Sequence, residues 1–363
     1  MQTYFIYGFI GAIILSFLLT YPVRWFAFLV KAVDKPNARK VHVKPMPRMG
    51  GLAIYLAFCL TYGLAVIFTD VVATNVGYTM IFGGGVIVLT GMLDDRFELS
   101  ARNKLIGQII AACIAMYLGL RVEFVTIPFT DHMINIGYWG IPITLLWILG
   151  VTNAINLIDG LDGLASGVSA IAAFATCAIS FLLGNIMTAF IALVLIGSIL
   201  GFLKHNFHPA KIFMGDTGAL FLGFALSTIS LLDLKQATLL SFIVPIFILG
   251  IPIADTFYAI IRRKLNHQPI SIADKNHLHH RLLSLGLTHR NAVLIIYLIS
   301  FIFACLAIFL SQSALWLSLS TIIIILFVIE ALAEYVGLLN SKHQPILTIL
   351  SKLTRMFTTK SSK

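Results

Sequence analysis

The chain has 363 residues, of which 59% are hydrophobic and only 11% are charged. So small a charged fraction does not cover the surface of an ordinary water-soluble domain, which excludes a string of soluble domains. The net charge of +10 favours anionic lipid or an anionic substrate at a membrane surface over nucleic acid as a partner. Because long apolar runs recur throughout, the composition predicts an all-α, polytopic membrane bundle.

Apolar segments separated by polar residues predict about eleven membrane-spanning helices. In chain order they cover residues 4–23, 50–69, 76–92, 103–120, 141–158, 163–183, 186–203, 217–232, 236–261, 292–311 and 314–338. The first has no basic residue before it and no small-residue cleavage site, so we expect a retained span rather than a signal peptide. Residues 1–339 are predicted to form one transmembrane catalytic domain, and residues 340–363 a basic cytoplasmic tail.

The basic residues indicate how the bundle is oriented. All lysines and arginines except Arg121 and Lys235 fall in the tail or in connections after odd-numbered helices. Since positive residues stay cytoplasmic, we expect the N-terminus outside and the C-terminus inside. The polar segments described next lie on the same predicted side, whereas a transporter would hold ionisable groups near the bilayer midplane. Glu330 and Glu334 in the last helix are the main exceptions and are interpreted as a structural pair.

The loop after the first helix places basic residues among three prolines. Lys40 and His42 are its candidates for contact with an anionic ligand. The prolines favour a shaped loop, although a general membrane-surface patch explains the same composition.

Two adjacent carboxylates, Asp94 and Asp95, follow the third predicted helix. They repel each other unless a cation or proton lies between them, and Mg²⁺ prefers carboxylate oxygens together with water and substrate phosphates. A solvated helix end with Arg96 as partner explains the pair equally well.

The segment NAINLIDGLDGLA places Asn153, Asn156, Asp159 and Asp162 at three-residue intervals. On a helix this spacing aligns neighbouring members along one drifting stripe, and the two glycines loosen the backbone where the polar groups emerge. We expect a functional site here, with a purely structural hydrogen-bonded network as the alternative.

The segment NFHPAKIFMGDTG places Asp216 between two glycines at the start of an apolar helix. A helix cap alone is one explanation, since aspartate oxygens satisfy free N–H groups. Glycines beside a carboxylate at a helix start also allow close approach of a phosphate or metal. Asn206 and Lys211 lie a few residues earlier.

The segment DKNHLHHRL supplies His277, His279, His280 and Arg281. In a basic loop, these side chains are typical of phosphate binding. Zinc is the weaker alternative, because no cysteine or HExxH pattern accompanies them, and structural packing is the third.

Together, these segments predict an anionic-ligand site at the inner membrane surface. Carboxylates would hold magnesium, and basic groups would contact phosphates. Phosphoryl transfer depends mainly on positioning and charge stabilisation, so this set of side chains is suited to it.

In the same segments the chain resembles the polyprenyl-phosphate N-acetylhexosamine-1-phosphate transferases, in particular the bacterial undecaprenyl-phosphate GlcNAc-1-phosphate transferases. The resemblance extends over essentially the whole chain and implies a multi-pass protein of the bacterial plasma membrane whose active site faces the cytoplasm. It implies transfer of GlcNAc-1-phosphate from UDP-GlcNAc to undecaprenyl phosphate, with release of UMP and a need for Mg²⁺, for which Mn²⁺ is an alternative. A homodimer is compatible with it.

The resemblance also implies roles for individual residues. Asp94 and Asp95 match a pair associated with magnesium binding or with deprotonation of the lipid phosphate. Asp159 and Asp162 are expected in catalysis or substrate positioning, and Asp216 is the expected magnesium ligand. Further substrate-binding residues are expected to be Lys40, His42, Asn153, Asn156, Asn206, Lys211, His277, His279, His280 and Arg281, the last facing the pyrophosphate.

The donor sugar is inferred from differences between branches of the family. Phospho-MurNAc-pentapeptide transferases share DGLDGLA and FMGD, but their histidine motif reads as three consecutive histidines after a proline. HLHHR and RKVHVKPMPRMGG in this chain fit the GlcNAc branch. We expect the first membrane step of wall teichoic acid or another cell-surface polysaccharide. A phospho-MurNAc-pentapeptide transferase and, more remotely, a transporter of a phosphorylated compound are the alternatives.

Overall fold

The computed structural model describes residues 2–34, 45–69, 74–126, 133–233, 239–269 and 276–313, with scattered positions between 317 and 334. Lys40, His42, most of the predicted last helix and the tail 340–363 lie outside the described residues.

Within those ranges the chain is helical apart from two short antiparallel hairpins. The helices are α1 (Gln2–Leu29), α2 (Gly51–Phe68), α3 (Asn75–Phe97), α4 (Ala101–Tyr117), α5 (Gly140–Ile158), α6 (Leu164–Leu182), α7 (Ile186–Asn206), α8 (Gly215–Asp233), α9 (Leu239–Ile248), α10 (Gly250–Leu265), α11 (Leu278–Ser284) and α12 (His289–Gln312). The strands are β1 (Val33–Asp34), β2 (Met46–Pro47), β3 (Phe124–Thr126) and β4 (Met133–Asn135). Val33 lies opposite Pro47 in the first hairpin, and Val125 lies opposite Ile134 in the second.

Seven helices in the described part of the chain are long and apolar enough to cross a membrane. They are α1, α2, α3, α5 with its preceding 3-10 turn, α6, α7 and α12, and α8 adds a shorter apolar stretch. The prediction of a multi-pass helical bundle is therefore confirmed. Eleven crossings and their orientation stay predictions.

Helix α8 forms the centre of the bundle. It packs along α3 and α5 and also contacts α2 and α6. From Thr217 to Leu231 its residues are buried on every face, including the fully buried Phe221 and Phe224. Its buried polar and apolar side chains are therefore covered by the surrounding helices. As a result, the start of α8, with Asp216, lies next to the ends of other helices.

Helix α3 passes this start at very close range. A Cβ atom at Gly91 would lie 2.4 Å from the Cα of Thr217, so only glycine permits the approach. The helix continues beyond its predicted end at residue 92 and stops at Phe97, where Glu98 adopts a left-handed conformation. Asp94 and Asp95 therefore lie in the last turn of α3, not after it, and face the start of α8.

The predicted ninth helix, residues 236–261, is two helices in the structure. Helix α9 ends at Ile248 and α10 begins at Gly250, with Leu249 outside regular helical geometry. Pro252 explains the break, because a proline ring clashes with the carbonyl four residues earlier, which here belongs to Ile248. The same proline is tolerated in the first turn of α10. The prediction of a single uninterrupted helix over these residues was wrong.

Candidate active site

Asp95 anchors the start of α8. Its Oδ1 accepts a hydrogen bond from the Asp216 backbone N–H at 3.0 Å, and its Oδ2 accepts from the Thr217 N–H at 3.1 Å and the Thr217 hydroxyl at 2.6 Å. The preceding Gly215 has φ +70°, and a Cβ there would lie 2.4 Å from the Asp95 carboxylate. Asp95 thus does for α8 what an N-cap side chain normally does, from another helix. Both of its oxygens are occupied.

Asp94 and Asp216 share one cation, the side chain of Lys104 in the first turn of α4. The Lys104 Nζ lies 2.8 Å from Asp94 Oδ2 and 2.6 Å from Asp216 Oδ2. The other Asp94 oxygen accepts a hydrogen bond from the Leu99 N–H at 2.8 Å. The consecutive helices α3 and α4 and the distant start of α8 therefore bring two carboxylates to a single positive charge. We refer to Asp94, Lys104 and Asp216 as the Lys104 cluster.

Arg48 supplies a second positive charge beside this cluster. Its Nε lies 3.5 Å from Asp95 Oδ1. The backbone fixes its place, because the Phe213 N–H bonds the Pro47 carbonyl at 2.9 Å and the Gly50 N–H bonds the Phe213 carbonyl at 3.0 Å. The end of the first loop is therefore hydrogen-bonded to the segment that leads into α8.

Asp159 lies at the C-terminal end of α5, where its backbone N–H bonds the Asn156 carbonyl at 3.3 Å. Burial raises the pKa of the Asp159 carboxyl to about 8, and the negative charges of Asp216 and Asp95 act in the same direction. Asp159 therefore interacts electrostatically with Asp95 and Asp216, with which it forms one acidic group, and its protonated form is favoured.

Asp162 is held differently. Its Oδ2 lies 2.9 Å from His208 Nδ1 and accepts a hydrogen bond from the Ala210 N–H at 3.1 Å, while its own N–H donates to His289 Nε2 at 2.9 Å. We call Asp162, His208 and His289 the Asp162 cluster. Their potential ligand atoms lie within 4.8 Å of one another. However, the His289 nitrogen already accepts a hydrogen bond and its ring stacks on His208, so the contacts join three segments without converging on an ion.

Part of the histidine motif forms the short helix α11, in a segment that the sequence predicts to be a loop. His277 and His279 are buried, whereas His280 is exposed. The His279 ring packs on the turn after α5, where a Cβ at Gly160 would lie 2.3 Å from its Nε2. Burial lowers the pKa of His279 to about 4, and neighbouring His280 acts in the same direction. His279 is thus neutral near pH 7, so it adds no charge to offset a phosphate.

Two predicted substrate-binding amides make structural contacts. The Asn153 Nδ2 donates to Gln108 Oε1 of α4 at 2.8 Å and to the Leu149 carbonyl at 2.7 Å. Asn206 accepts from the Ser166 hydroxyl at 2.8 Å and donates to the Ile212 carbonyl at 3.1 Å. For Asn153, these bonds match the alternative of a structural hydrogen-bonded network that the sequence left open. Lys211 is exposed, and Arg281 is half-buried in α11.

Three residues at or beside the site were not predicted as site residues. The sequence places Lys104 only among the basic residues of the predicted inner face, and Arg48 only in a basic loop. Asp255, buried in α10, was overlooked inside an apolar run. A lone carboxylate within a predicted span is a functional signal in its own right, so Asp255 was detectable from the sequence.

Comparison with known proteins shows which family the chain belongs to. Residues 77–233, which span α3 to α8, match the sequence model of Glycosyl transferase family 4. A protein of Bacillus subtilis (strain 168), named as a probable undecaprenyl-phosphate N-acetylglucosaminyl 1-phosphate transferase, is 45% identical over 349 residues, covering 96% of each chain. The chain belongs to glycosyl transferase family 4.

Other relatives of this family 4 chain differ in the substrate given in their names. The decaprenyl-phosphate N-acetylglucosaminephosphotransferase of Mycolicibacterium smegmatis is 36% identical, covering 79% of this chain and 77% of its own. The phospho-N-acetylmuramoyl-pentapeptide-transferase of Halalkalibacterium halodurans is 34% identical, covering 73% of this chain and 83% of its own. All are named as transferases, and the resemblance inferred from the motifs is confirmed.

Proposed function

We propose that this protein transfers GlcNAc-1-phosphate from UDP-GlcNAc to undecaprenyl phosphate, giving undecaprenyl-diphospho-GlcNAc and UMP. The reaction would be the first membrane step of wall teichoic acid or another cell-surface polysaccharide. The convergence of Asp94 and Asp216 on one ammonium at the start of a buried helix carries this proposal. The high identity to the Bacillus subtilis relative supports the choice of sugar.

We further propose that the protein lies in the bacterial plasma membrane, with about eleven crossings, an outside N-terminus and a cytoplasmic active site. Residues 1–339 would form the catalytic domain and residues 340–363 a basic tail. The excess of lysine and arginine in the tail and in the connections after odd-numbered predicted helices supports this orientation.

The carboxylates of the Lys104 cluster suit Mg²⁺, which takes hard oxygen ligands and retains waters and substrate phosphates. Asp216 and Asp94 would hold the ion, since their oxygens already meet at one positive charge. Mn²⁺ accepts the same donors. When bound there, the ion would supply charge that binds the diphosphate and favours departure of UMP. Asp95 is less suited, because both of its oxygens hold α8.

Cationic side chains of the protein would contact the substrate phosphates. With a metal ion held by Asp94 and Asp216, the Lys104 ammonium would be available to pair with a phosphate oxygen, and Arg48 stands beside it. His280 and Arg281 would contact the substrate from α11. A lipid phosphate oxygen then bonds to the β-phosphorus of UDP-GlcNAc, while the bond from that phosphorus to its bridging oxygen breaks and the electron pair leaves with UMP.

A groove of about 290 Å³ between α5, α9 and α10 is suited to the lipid chain. Apolar side chains dominate its walls, among them Leu146, Trp147, Ala154, Ile246, Ile253 and Phe257. Because α5 continues from this groove to Asp159, a polyprenyl chain bound in it would bring its phosphate toward the acidic group. Only part of so long a lipid fits such a volume, and the remainder would stay in the bilayer.

Gly150 allows the groove to be blocked selectively. It lines the groove, and a Cβ there would meet nothing within 4 Å, so Gly150→Leu adds bulk without a backbone clash. We expect a several-fold rise in KM for undecaprenyl phosphate with KM for UDP-GlcNAc unchanged. Gly63→Leu in α2, where a Cβ is equally unhindered, is the matched control. Equal effects of the two changes on the lipid KM would remove the groove from the proposal.

The reaction itself is tested with purified protein, radiolabelled UDP-GlcNAc, undecaprenyl phosphate and Mg²⁺. We expect labelled lipid and UMP in equal amounts, both abolished by a chelator. Labelled lipid formed only from UDP-MurNAc-pentapeptide would identify the peptidoglycan-type transferase instead, and substrate crossing vesicles without UMP release would identify a transporter. Exchange of labelled UMP into UDP-GlcNAc without lipid separates a route through an aspartyl-phosphate from direct transfer.

A further inference from the structure

Asp255 is a buried carboxylate that has no role in the reaction described above. It lies in α10 shortly after the break at Leu249 and is only 3% exposed. Its Oδ2 lies 2.8 Å from His277 Nδ1, and its Oδ1 accepts a hydrogen bond from the Leu278 N–H at 2.8 Å. Burying a carboxylate is costly unless its oxygens are paired, so these two bonds explain how Asp255 is tolerated.

Both bonds connect α10 to the start of α11. His277 occupies the N-cap position, but among the described contacts its own side chain makes no capping bond. Asp255 therefore provides the acceptor that a capping side chain would otherwise provide. One carboxylate thus fixes both the first turn of α11 and the ring that precedes it.

The pair also determines the state of the His277 ring. A carboxylate only accepts hydrogen bonds, so the proton between the two groups is on His277 Nδ1. Nε2 is then the remaining ring nitrogen. The orientation of an imidazole and the identity of its free nitrogen are commonly set by such a second partner.

The position of α11 matters for the acidic group. His279 packs on Gly160, next to Asp159, and exposed His280 follows in the same turn. Thr256, the neighbour of Asp255, lines the apolar groove. A continuous set of contacts therefore runs from the groove wall through Asp255 and α11 to the turn that carries Asp159.

We propose that Asp255 is a positioning residue that acts through His277, holding its ring in the Nδ1–H form and fixing α11 against the turn at Gly160. This inference rests on the proposed transferase activity. It assigns His277 and His279 to the anchoring face of the motif and leaves His280 and Arg281 to face the substrate.

Asp255→Asn separates this role from simple packing. The asparagine oxygen still accepts from the Leu278 N–H, but its NH₂ group now donates to His277 Nδ1 and forces the proton onto Nε2. We expect kcat to fall at least tenfold, while the melting temperature and both KM values change little. Nitrogen-15 shifts of labelled histidine, with the His277 signal identified by its loss in His277→Asn, are expected to report the change of tautomer.

His277→Asn tests the pair from the other side, because its amide can still donate to Asp255 while the Nε2 is lost. If Asp255 acts through His277, the double variant is no slower than His277→Asn alone. Tyr258→Phe, one turn further along α10, removes the hydroxyl that donates to Glu330 and serves as the matched control, with activity within twofold of wild type.

Two results would overturn the inference: Asp255→Asn turning over within twofold of wild type, or losses that multiply fully in the double variant. If Asp255→Asn does not fold, His277→Asn still tests the inference. A folded and fully active His277→Asn protein would show that the imidazole ring is not needed for turnover and would overturn it. Failure of the wild type to release UMP would instead overturn the proposed function.

Discussion

The Lys104 cluster and the Asp162 cluster both hold aspartates from prominent sequence motifs, but their bonding differs. Asp94 and Asp216 meet at a flexible lysine side chain that another cation can replace. Asp162 bonds a backbone N–H and an imidazole, and its own N–H bonds a second imidazole. We expect the first arrangement to exchange partners during the reaction, whereas the second joins three segments of the fold.

We propose that this difference separates carboxylates that take part in the reaction from carboxylates that stabilise the fold. Asp95 belongs with Asp162 in this respect, because backbone N–H groups at the start of α8 occupy its oxygens. We expect changes at the exchangeable carboxylates to remove activity and spare stability. Changes at the fixed carboxylates should do the reverse.

The largest effect is expected for Asp216→Asn. Loss of one carboxylate from the proposed metal site should reduce turnover by about 10³-fold, the scale seen when a key electrostatic group is removed. The melting temperature should stay level or rise, because repulsion between Asp94 and Asp216 is relieved. UMP release and thermal unfolding in detergent measure the two quantities. Glu98→Gln, an exposed carboxylate just after α3, is the control, and near-normal turnover of Asp216→Asn would remove its metal role.

Lys104→Met is expected to have the next largest effect. Turnover should fall by about 10²-fold if the ammonium pairs with a phosphate during transfer. At the same time the Mg²⁺ concentration for half-maximal activity should fall by about tenfold, because a competing positive charge has gone. Metal titrations of initial rate show both changes, and Lys104→Arg should retain part of the turnover. An unchanged or weaker metal requirement would mean that the lysine and the metal do not share this position.

The sequence was sufficient to predict the class of fold and the segments that form the site. Apolar runs gave the multi-pass bundle, and the segments around Asp94 and Asp216 do meet. Partners were not predictable, because they depend on tertiary contacts: Lys104 and Asp216 are 112 positions apart. The uninterrupted apolar pattern over residues 236–261 predicts one helix, although Pro252 signals the break at Leu249. Asp255 lies inside the same apolar pattern, which masks the carboxylate as a signal.

Asp95→Asn should show the opposite signature to Asp216→Asn. The two carboxylate oxygens of Asp95 accept three hydrogen bonds from Asp216 and Thr217. An amide retains one acceptor oxygen, but it lacks the second and the negative charge. We expect a loss of about 1.5–3 kcal/mol in the free energy of unfolding, as for hydrogen bonds to charged groups. Activity per folded molecule should fall about tenfold or less. A stable protein without activity would place Asp95 with the exchangeable carboxylates.

Asp162→Asn is expected to have the smallest effect. The Ala210 N–H keeps an acceptor, and the Asp162 backbone bond to His289 does not depend on the side chain. What is lost is the negative charge facing His208, so the protein should lose about 1 kcal/mol of stability, the net value of one hydrogen bond. Activity per folded molecule should fall by no more than about threefold at saturating substrates, because less than 1 kcal/mol of transition-state stabilisation is removed. His208→Phe, which removes the imidazole partner of Asp162, should reproduce the change, and the double variant should be no worse than either. A loss approaching that of Asp216→Asn would show that Asp162 contacts the reacting groups, and bonding partners alone would then not separate the two kinds of carboxylate.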